Sequence, residues 1–189
     1  MSLMTSAKFR TVEPLSWAFG LLIGGAWISE VVLGNLGGTS VFGNLSQSHP
    51  GVSALALLFA LGAVGLTAMG GLVAAFRTGS VAAALRVGIW SGVISGVITL
   101  VTGVSLTVLF HDAMMEDPSN IHEFARGAHR PPTGGELSDF LYSDAIAGGV
   151  NHIWIGPLLG LTVGGLGALI GRVAHRDRLE NHERHASPH

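Results

Sequence analysis

Residues 151–173 read Asn-His-Ile-Trp-Ile-Gly-Pro-Leu-Leu-Gly-Leu-Thr-Val-Gly-Gly-Leu-Gly-Ala-Leu-Ile-Gly-Arg-Val, a polar pair set directly on a long apolar run. From Ile153 to Val173 the only charge is Arg172. At a rise of 1.5 Å per residue this stretch is about 30 Å long, the thickness of a bilayer's hydrocarbon core. It predicts a membrane-spanning helix. Within it Gly156, Gly160 and Gly164 recur every four residues, Ala168 continues the row, and Gly167 and Gly171 form a second pair. Glycines so spaced line one helical face and let another backbone approach closely, the mode by which helices associate in lipid.

Working outward, three further apolar runs appear, at about 15–36, 52–76 and 87–110. The third repeats the small-residue pattern in Gly88, Gly92 and Gly96, beside a hydroxyl stripe of Ser91, Ser95 and Thr99. It is the natural packing partner for the row at Gly156 to Gly164. Hydrophobic residues make up 48% of the chain and charged residues 12%, with the charges gathered between the runs, so a membrane protein is expected rather than a soluble core. The expected fold class is all-α: an antiparallel bundle of four transmembrane helices with a short helical extracytoplasmic loop.

The first run follows a basic start, Lys8 and Arg10, but exceeds a signal-peptide core in length and lacks a small-x-small cleavage site, so it reads as an uncleaved span. Residues 1–14 then form a cytoplasmic N-terminus. Residues 111–144 form an outer loop. In it Asp117-Pro118 starts a short amphipathic helix with Ile121, Phe124, Ala125 and Ala128 on one face. Thr133 and Glu136 fit a capping box opening a second short helix through Leu137, Phe140 and Leu141. Residues 174–189 are expected as a solvated cytoplasmic tail.

Orientation follows from the basic residues near the span ends. Lys8, Arg10, Arg77, Arg86, Arg172, Arg176, Arg178 and Arg184 fall on one side, and only Arg126 and Arg130 on the other. The positive-inside rule then places both termini in the cytoplasm of a cell (inner) membrane and the acidic 111–144 loop outside.

Four polar positions fall near a common outer rim: Glu30 in the first span, His49 before the second, His111-Asp112 after the third and Asn151-His152 before the fourth. Imidazoles and carboxylates suit zinc, copper or iron, which makes His49, His111 and His152 the metal candidates. A carboxylate inside a membrane also suits a proton relay or solute site, because its burial is costly without a partner. Against these stands a structural reading, in which interfacial histidines and a snorkelling Glu30 merely meet headgroups.

Several chemistries are excluded or disfavoured. The chain has no cysteine, hence no disulfide, thiolate metal site or cysteine nucleophile. His122-Glu123-Phe-Ala-Arg126 opens like the zincin string His-Glu-x-x-His, but arginine stands where the second ligand must be. No basic face interleaved with aromatics points to nucleic acid, and no glycine loop is followed by Lys-Ser/Thr as phosphate binding requires. Asn44-Leu-Ser46 matches a glycosylation acceptor but lies close to the membrane.

The sequence therefore predicts a non-enzymatic integral membrane protein without a cofactor. Its expected role is an accessory or scaffolding component that packs through its glycine rows with copies of itself or within a larger membrane complex. The alternative is a small binding or transport protein that uses the rim for a proton, a metal or a haem-like cofactor.

Overall fold

The computed structural model describes the backbone of residues 3–36 and 50–186 and the side chains of 12–36 and 54–181. It is all-helical over that range: α1 (Leu3–Leu36), α2 (Pro50–Thr78), α3 (Val81–Leu109), α4 (His111–Met115), α5 (Pro118–Ala128) and α6 (Glu136–Ala186). His49 and the Asn44-Leu-Ser46 acceptor lie outside the described residues. Four helices, α1, α2, α3 and α6, are long and apolar enough to cross a membrane, and the chain is a multi-pass membrane protein.

The contacts define the packing. Gly20 lies against Ile94 and Gly24 against Ile98, so α1 and α3 run parallel. Gly88 faces Gly160 and Gly92 faces Gly156, so α3 and α6 run antiparallel. Ala68 faces Gly167 and Leu72 faces Gly171, so α2 runs alongside α6 in the same direction. The four long helices thus alternate in direction. The α3–α6 contact is the most extensive, followed by α2–α6 and α1–α3, while α1 and α6 lie diagonally across the bundle.

Glycine determines how close α3 and α6 come. A methyl group added at Gly88 would lie 2.5 Å from the Gly160 carbonyl oxygen, and one at Gly96 would lie 2.7 Å from the Ile153 α-carbon. Gly164 behaves differently from its row. It turns towards α2, where an added methyl group would lie 3.5 Å from the Thr67 carbonyl oxygen, and joins Gly167 and Gly171 on the face that packs against α2. A residue eight positions on from Gly156 is displaced about 80° around a helix of 3.6 residues per turn, which moves it off a straight contact line. The buried hydroxyls of α3 are satisfied on their own helix. Ser91 donates to the Gly88 carbonyl (3.0 Å), Ser95 to that of Gly92 (3.0 Å) and Thr99 to that of Ser95 (2.9 Å).

Two boundaries differ from the sequence expectation. The 77–86 connection shrinks to a reversal at Gly79-Ser80. Gly79 takes a left-handed φ of 64°, and the Ser80 side chain accepts from the Ala83 amide at 3.3 Å, capping α3. Arg77 and Arg86 therefore sit on helices rather than in a loop. The second difference is larger: the short helix at Glu136 and the span at 151–173 are one helix of 51 residues. Residues 145–150, Ala-Ile-Ala-Gly-Gly-Val, continue the backbone ladder, and Gly149 packs against Leu100. At about 75 Å, α6 exceeds the hydrocarbon thickness and projects on both sides.

The interior divides into two apolar clusters. One, nearer the Gly79 turn, gathers Phe19, Ile23, Ala74, Ala75, Ala84, Val87 and Ala168. The other, under the loop, gathers Leu36, Met114 and Leu141, flanked by Val32, Leu106 and Phe140. Large apolar side chains such as Leu57, Leu58, Trp90, Trp154, Leu166 and Ile170 point outward. Small residues at the helix contacts and many large apolar side chains on the outer surface are the distribution expected when lipid is the solvent.

Candidate functional site

The loop-side end is built on α4, α5 and the start of α6. Asp117 caps α5, its Oδ1 accepting from the Ser119 amide at 2.8 Å, with Pro118 in the first turn. The Asp117 side chain is buried and its Oδ2 has no partner. Phe124 of α5 meets Phe140 of α6 edge to face at 5.7 Å. Glu136 accepts from the Thr133 amide (2.9 Å) and hydroxyl (2.7 Å) and from Arg130 Nη1 (2.7 Å), which ties the 129–135 turn to the start of α6. Arg126 donates to Glu123 at 3.3 Å on the open face of α5, an exposed i, i+3 pair of the kind the mixed charges predict.

The predicted rim does not converge. His111 docks α4 onto α6, with Nε2 2.9 Å from the Ser138 hydroxyl oxygen and its ring stacked on Tyr142 at 5.7 Å. Asp112 is fully exposed beside it, 3.4 Å from His111 Nδ1. Asn151 is exposed on the bundle surface. His152 lies fourteen residues beyond Ser138 on the same helix, about 21 Å along the axis. His111 and His152 therefore cannot share a metal, and among the described residues no three His, Asp or Glu side chains gather to hold one. The rim expectation placed 151 at the end of a helix. In the structure α6 begins at 136, so 151–152 lie well inside it.

A smaller site remains. The half-buried His152 donates from Nδ1 to the Gly148 carbonyl at 2.8 Å. Its ring stands edge-on to Trp27 of α1, with centroids 4.9 Å apart and planes at 74°. Glu30, one turn beyond Trp27 and half-buried, interacts electrostatically with His152. No hydrogen bond or ion pair joins the two directly. The α1 side chains lean back towards the helix start, as do those of α6, and because the two helices run oppositely Glu30 and His152 reach towards each other. With Nδ1 engaged by a carbonyl, Nε2 is the imidazole nitrogen left to exchange a proton. The site lies between the two apolar clusters, in the half of the bundle where Gly25 and Gly62 have no neighbour within 4 Å.

No family model, curated protein or solved structure matches this chain.

Sequence reasoning selected Glu30 and His152 but missed Trp27. The signal was available in the spacing, since positions 27 and 30 share a helical face. What it lacked was the register of α1 against α6.

Proposed function

We propose that the chain is a non-enzymatic protein of the cell membrane, with both termini cytoplasmic and the 111–135 loop outside, whose Glu30–His152 pair is a protonatable binding site for a proton or small cation. The carrying observation is that an acid on α1 and an imidazole on α6, from helices that otherwise stay apart, come close enough to interact electrostatically at a level between two apolar clusters. A carboxylate within a membrane is costly to keep and is retained with a partner or an aqueous path. Trp27 stands against the imidazole, with the two rings T-shaped.

The test is flux in vesicles holding the purified protein. Under an imposed gradient, proton or monovalent-cation movement is expected in the wild type and is reduced by an order of magnitude or more in Glu30→Gln and in His152→Gln, one lost charge–dipole partner being worth a few kcal/mol. Absence of flux in the wild type, or flux indifferent to both substitutions in variants whose helicity is intact, overturns the reading.

A second reading, an accessory subunit of a homo-oligomer or larger complex, is favoured by Gly62 and Gly65 of α2, which are exposed with no atom within 4 Å of an added methyl group. Glycines there let a further helix approach. The glycine rows of α3 and α6 are occupied within the chain and do not support this reading. Cross-linking through a cysteine at position 62 in native membranes tests it.

A further inference from the structure

A groove of about 930 Å³ runs along the outside of the bundle between α1 and α3. Its walls include Trp17, Trp90, Val97 and Ile98, and among the described residues the charged side chains lining it, Glu13 and Arg86, both lie at one end. From Arg86 to Ile98 it covers about 18 Å along α3, close to one leaflet of a hydrocarbon core of about 30 Å. It starts near the Gly79 turn, where α2 ends with the exposed Arg77.

Two features say what fits. Among the described residues the lining contains no glycine or alanine and is floored by branched side chains, including Val93 and Ile94. The close α3–α6 and α2–α6 contacts are made at glycines, a seat for a helix backbone that this lining does not offer, whereas a flexible acyl chain fits between branched side chains. Among the described residues the mouth presents the cation Arg86 on α3 and the anion Glu13 on α1, with Trp17 and Trp90 one turn further along, and tryptophan favours the membrane–water boundary. The five N–H donors of a guanidinium match a phosphate even when a protein neighbour takes some of them. A carboxylate matches a primary ammonium.

We propose that this groove binds an aminophospholipid of the leaflet on the Arg86 side, with one acyl chain between α1 and α3, the phosphate on Arg86 and the ammonium on Glu13. The proposal is independent of the Glu30–His152 reading, since neither Glu30 nor His152 lines the groove.

The test uses the full chain with Trp27→Phe and Trp154→Phe, so that Trp17 and Trp90 alone report, in phosphatidylcholine bilayers doped with a lipid brominated on its acyl chains. Brominated phosphatidylethanolamine is expected to quench several-fold more than brominated phosphatidylcholine or phosphatidylglycerol at equal mole fraction. Glu13→Gln and Arg86→Gln should each bring it down to the phosphatidylcholine level. Native mass spectrometry of the wild-type chain extracted in mild detergent gives a readout that does not depend on any variant folding, and phosphatidylethanolamine should be retained. Equal quenching by all three lipids, a preference for phosphatidylglycerol, shielding from every lipid by a second copy of the chain, or wild-type protein that retains no phosphatidylethanolamine overturns the proposal.

Discussion

At Gly92 the absence of a side chain is what brings two helices together. A methyl group there would collide with the carbonyl group of Gly156 and lie 2.5 Å from the Pro157 nitrogen, all backbone atoms of α6 that cannot rotate away. Gly92→Ala is therefore expected to push α3 and α6 apart and cost about 1–3 kcal/mol, the usual range for overpacking. The same change at Gly62, where nothing lies within 4 Å, should fall within about 0.5 kcal/mol of wild type. Reversible unfolding in mixed detergent, followed by circular dichroism, compares the two. Equal effects would mean that the glycine row is compositional and does not set the packing distance. The row was legible in the sequence because a four-residue spacing fixes a face without knowledge of the partner. The turning of Gly164 towards α2 was not legible, because it depends on how far α6 rotates between its two neighbours. The site divides the same way: Glu30 stands out as an acid in an apolar run, but its electrostatic proximity to His152 and not to His111 depends on helix register, which no local pattern carries.

At the scale of the element, α6 decides the loop-side architecture. Apolar periodicity could place its membrane portion and the helical signal at Glu136, but the two glycines at 148 and 149 resemble an interruption. Gly149 proves to be a packing position against Leu100, and the helix runs through. Its start, ahead of the apolar run, is held by Glu136. Side-chain hydrogen bonds from Arg130 and then Thr133, together with the Thr133 amide, hold the Glu136 carboxyl well below the usual carboxylate range. A depressed carboxylate contributes order that is fully present above the ordinary carboxylate value and is lost only as pH falls through the lowered one. Hydrogen exchange at the Thr133 amide should accordingly stay slow while ordinary carboxylates protonate. In Glu136→Ala, which removes the acceptor, it should be fast at all pH values. A Thr133 amide that exchanges rapidly at neutral pH in the wild type would show that the clamp does not order the turn.

At the scale of the whole molecule, the distribution of residue sizes and the distribution of charge make separate statements. The outward-facing Leu57, Leu166 and Ile170, set against helix contacts made by Gly, Ala, Ser and Thr, require an apolar surrounding along the bundle but give it no direction. Direction comes from charge: exposed Arg77, Arg86, Arg172, Arg176 and Arg178 sit near the Gly79 end, while Arg126 and Arg130 sit on the α5 side. Lysines and arginines near span ends are retained on the cytoplasmic face, so the Gly79 end should be inside and α5 outside. The chain has no cysteine of its own, which makes single introduced cysteines clean reporters. Gly127, exposed and with nothing within 4 Å, reports the α5 side, and the exposed Asn181 reports the far projection of α6. In intact cells Gly127→Cys should react with a membrane-impermeant maleimide, and Asn181→Cys should react only after the membrane is opened. The reverse pattern would invert the orientation while leaving the bundle intact. Labelling of both in intact cells would mean that α6 does not cross the membrane, and the packing of α3 and α2 against it would then need a different setting from lipid.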